Sequence, residues 1–323
     1  MSEPYAIRIH AHGGPEALQV EPMDRPEPKP GDVRIRQSAV GLNFIDTYHR
    51  TGLYPVKLPF TPGSEGAGTV EALGEGVDKV SVGDRVAYVG GGAYASHVCV
   101  PADRLLVLPD GVGEDSAAAL MLKGLTAWML LFEVRRAAPG ETALVWAAAG
   151  GVGSVLVPWA TSLGVRVIGV VSTEEKAERV RAAGASDVIV GDTDVAGKVR
   201  RLADGRGVDV SYDSVGKSSA TASLESLKPR GWWISYGNAS GPADPIAPGT
   251  LGAKGSLVLT RPGLFNFIAA PEDLSRGAAA LFGAMRAGTI RADIGQRFAL
   301  KDVAEAHRTL EARQTTGATV LTP

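Results

Sequence analysis

Two patterns of hydrophobic residues divide the chain. Up to Lys123, short runs in which apolar and polar residues alternate are separated by turns rich in Gly, Pro and Asp. Alternation with a period of two is typical of strands that bury one face. These runs lie at residues 6–12, 32–42, 66–73, 84–90, 95–101 and 104–109. The pattern predicts a barrel-type β domain over this part of the chain.

Beyond this region, helical periodicity begins at residues 114–140 and strands then alternate with helices. Such alternation predicts a doubly wound parallel sheet of about six strands. The predicted strands are 142–148, 165–172, 185–191, 207–216, 232–238 and 256–262. The predicted helices are 151–164, 173–184, 195–205, 219–231 and 271–290. A final strand, helix and strand over 297–323 should return to the first domain.

Composition narrows the class of protein. A chain of 323 residues favours two domains. The net charge of -2 gives no electrostatic support for binding nucleic acid or an anionic membrane. Cys99 is the single cysteine, which excludes an internal disulfide and fits a reducing cytoplasm. Residues 142–165 carry no charge over a length that could span a bilayer, but Pro158 and several glycines favour a strand, a turn and a helix instead.

The turn after the first strand of the predicted parallel sheet is rich in glycine. In WAAAGGVGS, the three positions of the G-x-G-x-x-G fingerprint are Ala148, Gly150 and Gly153. A helix that follows a strand and such a turn offers free N–H groups to a pyrophosphate. Gly150 would let the backbone approach a phosphate, Gly153 would let the helix pack on the strand, and Ala148 is tolerated if its φ stays negative. We therefore expect a dinucleotide to bind here.

The end of the second strand of this sheet bears on which dinucleotide binds. NAD sites usually place an acidic residue there, but this strand ends at Ser172 and Thr173. Hydroxyl groups can donate to a 2′-phosphate that a carboxylate would repel, and Lys176 follows one helical turn later. Glu174 and Glu175 are explained by their place in the first turn of the following helix, where its dipole stabilises a negative charge. The pattern favours NADPH over NADH.

The histidines and the cysteine do not form a metal-ligand pattern. His10 and His12 alternate on a strand and share one face, but no third ligand is evident. Ser64 stands beside Glu65, where a zinc site would need an imidazole or a thiolate. We expect no metal.

Strings along nearly the whole chain resemble one protein family. They include GLNFIDTYHRTGLYP, AAAGGVGS, YDSVG, SYGNASG and EARQTTGATVL. A β-barrel domain, a Rossmann domain and a return segment in this order resemble the medium-chain dehydrogenase/reductases, and the strings resemble their zinc-free NADPH:quinone oxidoreductases, relatives of ζ-crystallin. The resemblance implies an α/β fold: a GroES-like β-barrel catalytic domain plus a Rossmann doubly wound parallel sheet. The domains expected are 1–123, 124–262 and, as the segment completing the catalytic domain, 263–323.

The resemblance also implies roles for matching residues. The NFIDTY loop should lie beside the nicotinamide, with Asn43 and Asp46 orienting polar groups. The glycine turn should contact the pyrophosphate, and Arg313, in the last helix, should reach the phosphates from the other domain. The residues expected at the cofactor are Phe44, Ile45, Asp46, Thr47, Tyr48, Thr126, Met129, Gly150, Gly151, Val152, Gly153, Ser172, Thr173, Lys176, Val215, Gly237, Asn238, Ala239, Ser240, Arg261, Pro262, Leu264 and Arg313.

One position departs from the family. After the third Rossmann strand, relatives often carry a Tyr in an INY-like string near the adenosine, whereas this chain has Gly191 in VIVGDTD. The departure implies that this contact is absent or replaced by backbone.

The implied chemistry is hydride transfer from NADPH to a quinone, which needs no metal to polarise its carbonyl. The catalytic candidates are Asn43, Asp46, Tyr48 and Tyr54, and the proton comes from a tyrosine phenol or from solvent. Two alternatives stay open. One is NADPH-dependent reduction of α,β-unsaturated ketones or aldehydes, and the other is a non-catalytic, crystallin-like protein that binds NADPH. The resemblance further implies a homodimer built by sheet extension near residues 255–262.

Overall fold

The computed structural model describes residues 3–323. Its strands are β1 (Tyr5–Arg8), β2 (Gln19–Pro22), β3 (Asp32–Leu42), β4 (Glu65–Leu73), β5 (Arg85–Val89), β6 (His97–Pro101), β7 (Leu105–Val107), β8 (Thr142–Trp146), β9 (Arg166–Val171), β10 (Asp187–Val190), β11 (Val208–Asp213), β12 (Leu227–Ser235), β13 (Val258–Thr260), β14 (Ile294–Ala299) and β15 (Ala318–Thr322). Its α-helices are α1 (Phe44–Thr51), α2 (Glu114–Trp128), α3 (Gly153–Ser162), α4 (Glu174–Ala182), α5 (Val195–Leu202), α6 (Ala220–Ser226), α7 (Pro248–Ala253), α8 (Leu264–Phe267), α9 (Pro271–Arg286) and α10 (Val303–Glu311). A π-helical turn, Met129–Val134, follows α2.

The chain forms two compact units. The described residues as far as Lys123 form the first unit together with Leu274–Phe282 and Arg291–Pro323. The second unit consists of Gly124–Asp273 and Gly283–Ile290. The predicted return to the first domain at residue 263 differs from this division, because α8 packs on the π-helical turn inside the second unit.

The first unit is built on a sheet with the strand order β14-β15-β3-β4-β5-β7, and β6 also pairs with β3. β3 occupies the predicted residues and buries alternate side chains, including Val33, Ile35 and Gln37. Ile7, Ile35 and Tyr88 belong to the hydrophobic core beneath the sheet. The final strand, helix and strand join this unit through β14 and β15. The predicted β-rich, GroES-like domain is confirmed.

The second unit contains a six-stranded sheet in the order β10-β9-β8-β11-β12-β13, and every neighbouring pair is parallel. This is the doubly wound Rossmann order, in which the direction of winding reverses between the first and fourth strands, here β8 and β11. Ligands bind such sheets outside the carboxyl ends of the strands at that point. The predicted doubly wound sheet is therefore confirmed, and the uncharged residues 142–165 contribute β8, the glycine turn and α3.

Two segments differ from the sequence prediction. The helix predicted over 219–231 ends at Ser226, and β12 begins at Leu227, since Pro229 has no N–H to continue a helix. Among the described residues, Glu114–Val134 is the one helical segment long and apolar enough to cross a membrane, and 78% of its most apolar window is buried in the protein. Burial of this kind is typical of a core helix.

Candidate active site

Asn43 to Tyr48 form the start of a helix and not the loop expected from the resemblance. Helix α1 begins at Phe44, and the Asn43 N–H donates to the Asp46 carboxylate over 2.9 Å. An acidic residue three positions into a helix that satisfies the preceding N–H is one half of a capping box. Gly52, with a φ of 81°, ends the helix in the left-handed region. The N-x-x-D spacing is the sequence signal for this helix.

Asp46 points into the first unit. Its fully buried carboxylate accepts hydrogen bonds from Ser64 Oγ at 2.6 Å and from Tyr94 Oη at 3.0 Å. Burial raises the pKa of the Asp46 carboxyl to about 6, although these hydrogen bonds act to lower it. The contacts make Asp46 an anchor of α1, and its catalytic role stays a prediction.

A chain of side chains continues from Asp46 through the interior. Tyr94 Oη lies 3.0 Å from His307 Nε2, and Arg50 donates to His307 Nδ1 at 3.0 Å. Because a guanidinium has no acceptor, Nδ1 carries no proton, and the neutral His307 donates from Nε2 to Tyr94. Arg50 also pairs with both carboxylate oxygens of Glu311, at 3.1 and 2.6 Å. The hydrogen bonds from Arg50 to His307, from His307 to Tyr94 and from Tyr94 to Asp46 therefore run in one direction and hold the Asp46 carboxylate in place.

His307→Gln is expected to remove an acid-induced loss of stability. Burial and the Arg50 charge lower the pKa of His307 from 6.5 to about 3. The unfolded chain therefore takes up this proton first, and the native state loses stability as pH falls from 6.5 toward 3. The slope contributed is up to about 1.4 kcal/mol per pH unit. Denaturant unfolding of both proteins between pH about 7 and about 4.5 measures it.

Asp46 contributes to the same titration with the opposite sign. Its folded pKa is raised, so its contribution to stability is complete below 3.8 and is lost as pH rises through about 6. Without His307, the loss of stability on mild acidification should become smaller, because Asp46 then opposes, among the histidines, only the lowered pKa values of His49 and His97. A variant that loses stability with falling pH as steeply as the wild type would contradict the neutral, buried state of His307.

A second buried cluster joins Asn43 to two residues that the sequence prediction did not place at the site. Glu65 Oε1 accepts hydrogen bonds from the Asn43 amide at 2.8 Å and from Lys123 Nζ at 2.7 Å. Glu65 Oε2 accepts from the Leu122 N–H at 2.6 Å. Lys123 is the sole charge in the apolar stretch 116–132, and a buried lysine needs a carboxylate partner. That isolated charge is the sequence signal for the cluster.

The two candidate tyrosines lie together in the first unit. The Tyr48 and Tyr54 rings meet edge to face with centroids 5.1 Å apart, and Phe44 lies 6.3 Å from Tyr48 on the same helix. The Tyr54 N–H donates to the Tyr48 carbonyl at 3.1 Å. Tyr48 and Thr47 are buried, while Phe44 and Ile45 are half-buried. The structure thus gathers the aromatic candidates at α1, where their roles remain predictions.

The glycine turn at the end of β8 has the geometry of an anion site. In the part of the chain that the structure describes, the N–H groups of Gly151, Val152 and Gly153 donate to no protein acceptor. A Cβ on Gly153 would lie 2.5 Å from the carbonyl oxygens of Ala147 and Ala148, so glycine is required for this approach of helix and strand. The left-handed residue of the turn is Ala147, with a φ of 50°. Ala148 stays outside that region, and its N–H donates to Val170.

The residues after β9 begin α4. Thr173 precedes the helix, and its hydroxyl oxygen accepts the Lys176 N–H at 3.3 Å. Its O–H can still donate to an anion. Ser172 and Thr173 are exposed, and Lys176 is half-buried. Gly191, with a φ of 80°, donates its N–H to Val171 at 2.9 Å. That left-handed backbone favours glycine and accounts for the missing Tyr.

The loops after β11 and β12 meet inside the second unit. The buried Asp213 carboxylate accepts the Val215 N–H at 2.9 Å, the Ser219 hydroxyl at 2.7 Å and Trp233 Nε1 at 3.1 Å. The Ser240 N–H donates to the Val215 carbonyl at 2.8 Å. Val215 and residues 237–240 are therefore brought together, as expected of residues that share one site.

The remaining predicted residues are distributed over several elements. Arg261 donates to the Ser235 carbonyl at 2.7 Å, and Pro262 follows it. Leu264 begins α8 and is buried. Thr126 lies in α2, and Met129 is buried at the start of the π-helical turn. Arg313 lies past the end of α10, exposed and with a φ of 61°, and not within the last helix as predicted.

Grouped metal ligands are not found in the described residues, where no three His, Cys, Asp or Glu side chains could together hold an ion. Ser64 donates to Asp46, and the Lys123 ammonium lies against Glu65. A cation already fills the place beside this carboxylate. The donor set therefore does not fit zinc.

Comparison with known proteins identifies the family. The model of the alcohol dehydrogenase GroES-like domain matches residues 29–110, and that of zinc-binding dehydrogenases matches residues 151–264. The chain is 49% identical to a quinone oxidoreductase of Pseudomonas aeruginosa over 98% of this chain and 99% of the relative. It is 43% identical to a 2-haloacrylate reductase of a Burkholderia species, over 98% of each chain.

A solved structure is similar to this chain over the whole fold. The quinone oxidoreductase of Escherichia coli complexed with NADPH matches with a TM-score of 0.96 and 40% identity. The match covers 99% of this chain and 100% of that one. The chain therefore belongs to the quinone oxidoreductase family of the medium-chain dehydrogenase/reductases.

Proposed function

We propose that the chain is an NADPH-dependent reductase that transfers hydride to a quinone without a bound metal. The observation that carries the proposal is the turn at 147–153, whose free N–H groups stand where the sheet reverses its winding. Full-length likeness to quinone oxidoreductases, one of them complexed with NADPH, supports both the cofactor and the acceptor.

The glycine turn is the proposed pyrophosphate site. Three N–H groups at the start of α3 and the positive end of that helix would stabilise two phosphate charges. Glycine at 150 and 151 leaves the approach to the turn without side chains. The turn thus fits a dinucleotide before any likeness to relatives is considered.

The start of α4 is the proposed site of the adenosine 2′-phosphate. Ser172 and Thr173 offer hydroxyl donors, and Lys176 offers a positive charge one turn later. A carboxylate at the end of β9 would repel that phosphate, and β9 ends instead at Val171. The arrangement supports NADPH over NADH.

NADPH supplies the hydride from C4 of its nicotinamide. We propose that α1 presents Phe44, Ile45 and Tyr48 to the reacting groups, held in place by Asp46 and its buried partners. A phenol of Tyr48 or Tyr54 would donate a hydrogen bond to the acceptor oxygen. Zinc, which the name of one matching family model implies, has no part in this mechanism because Lys123 and Ser64 do not fit it.

Reduction of an activated alkene is the second candidate function. It needs the same cofactor and delivers the hydride to the β-carbon of an unsaturated carbonyl compound. The likeness to a 2-haloacrylate reductase favours it as the alternative. It differs from the main proposal in the acceptor alone.

Steady-state oxidation of NADPH, followed at its absorbance band, separates these functions. We expect rapid oxidation with 1,4-benzoquinone or a naphthoquinone and slow oxidation with enones or 2-chloroacrylate. Faster turnover with the alkenes would favour the second candidate. Tight NADPH binding with no oxidation by any acceptor would contradict both and support a non-catalytic binding protein.

We also propose that the protein works as a cytoplasmic homodimer. β13 is the last strand in the order of the parallel sheet, and Leu259 on it is exposed. A second copy could add its own β13 there and extend the sheet. The lone Cys99 fits a reducing compartment.

A further inference from the structure

The Lys123 ammonium is a buried cation with unused hydrogen-bonding capacity. Its side chain is 5% exposed, and among the described residues Glu65 Oε1, at 2.7 Å, is its one hydrogen-bond acceptor. An ammonium carries three N–H donors, so two remain for other groups. Burying a charged group is costly unless it is paired and hydrogen-bonded, and Glu65 meets only one of its three N–H groups.

Hydrogen bonding alone does not explain why a lysine stands here. Glu65 Oε1 already accepts from Asn43, and Glu65 Oε2 accepts from the Leu122 N–H. An apolar pair of similar size is often as stable as a buried ion pair, or more so. Neither the packing nor the hydrogen bonds of Glu65 therefore require a positive charge at position 123.

Asn43, a predicted catalytic residue, cannot be the donor to a substrate oxygen. Its amide nitrogen donates to Glu65 Oε1 at 2.8 Å and to the Gly41 carbonyl at 3.4 Å, which uses both of its N–H groups. Lys123 and Asn43 share one carboxylate oxygen, and of the two only Lys123 keeps unused N–H donors.

We propose that the Lys123 ammonium contacts the acceptor oxygen that becomes negative during hydride transfer, an inference that rests on the proposed function. The hydride leaves NADPH with its electron pair, giving NADP⁺, and its addition converts the quinone to a hydroquinone monoanion. Lys123 stabilises this oxyanion, and a proton from water then completes the hydroquinone.

Lys123→Gln tests this role while keeping a donor to Glu65. We expect kcat for quinone reduction to fall about 100-fold, the usual effect of losing an oxyanion donor, with NADPH affinity unchanged. Lys79→Gln, which removes an exposed charge from the same unit, should leave kcat as in the wild type. Wild-type kcat in Lys123→Gln would overturn the proposal.

A variant with both charges removed guards against failure to fold. Lys123→Gln leaves Glu65 buried without a counter-charge, whereas Glu65→Gln/Lys123→Gln buries no ion. The double variant should regain the wild-type Tm and still lack the rate. Recovery of the rate together with the Tm would mean that Lys123 only balances the charge of Glu65.

A spectroscopic probe reports the contact without turnover. In the complex with NADP⁺, bound 4-nitrophenol should ionise at a pH about one unit lower on the wild type than on Lys123→Gln, because the ammonium stabilises the phenolate. Equal ionisation on both proteins would overturn the proposal. Failure of the proposed function would be seen separately, as a wild type that oxidises no NADPH with any quinone.

Discussion

Gly153→Ala is expected to weaken NADPH binding about tenfold or more and to destabilise the protein by about 1–3 kcal/mol. The new Cβ would lie 2.5 Å from two carbonyl oxygens, those of Ala147 and Ala148. Both are backbone atoms, so neither can rotate away as a flexible side chain would. Helix α3 must therefore move from the end of β8 and take with it the N–H groups proposed to bind the pyrophosphate.

Calorimetric titration of NADPH and thermal unfolding measure the two effects of Gly153→Ala. The matched control is Gly252→Ala in α7 of the same unit, where a Cβ meets no atom within 4 Å. Alanine in a helix is favoured over glycine, so the control should be as stable as the wild type or more so. If Gly153→Ala bound NADPH as tightly as the wild type, the glycine turn could not be the pyrophosphate site.

Lys176→Glu is expected to raise the Kd for NADPH about 10- to 100-fold and to leave the Kd for NADH nearly unchanged. The two cofactors differ only in the 2′-phosphate, which a positive charge at 176 would stabilise and a carboxylate would repel. The Lys176 N–H is held by the Thr173 hydroxyl at the start of α4, so the substitution changes a side chain on a fixed turn.

Fluorescence titration with both cofactors measures this selectivity. Lys254→Glu provides the control, because it reverses an exposed charge elsewhere in the second unit. In that control, the ratio of the Kd for NADPH to the Kd for NADH should stay as in the wild type. If Lys176→Glu weakened NADPH and NADH equally, the phosphate would have to be recognised elsewhere.

The elements best predicted from sequence are those whose periodicity is uninterrupted. The run at 32–42 predicts β3 with its observed bounds, and the apolar runs separated by helical segments predict a doubly wound parallel sheet, whose strand order the structure supplies. Both patterns follow from burial, of alternate side chains over residues 32–38 of β3 and of both faces in the parallel strands.

Short local signals that compete with periodicity predict the structure less well. The family resemblance implies that the NFIDTY segment is a loop, yet Asn43 and Asp46 are the cap of a helix. Pro229, the third residue of β12, is incompatible with the helix predicted over 219–231, which ends at Ser226. The bond from the Asn43 N–H to Asp46 starts a helix in the first case, and the missing N–H of Pro229 prevents one in the second.

The buried partners of the site could not be predicted from local sequence. Arg50 and His307 are 257 positions apart, and Glu65 and Lys123 are 58 apart. Only the tertiary fold brings such pairs within hydrogen-bonding distance. A lone charge in an apolar stretch, as at Lys123, predicts that a carboxylate partner exists but not which residue it is. The glycine turn needs only neighbouring residues, and it was predicted correctly as a strand–turn–helix.

The central claim is that bound NADPH passes its hydride to a quinone. Anaerobic stoichiometry with limiting NADPH and excess 1,4-benzoquinone tests this most directly. The account predicts quinone-dependent oxidation that yields one hydroquinone for each NADPH consumed. Saturating binding of NADPH with no quinone-dependent oxidation, or two semiquinones formed per NADPH, would contradict it.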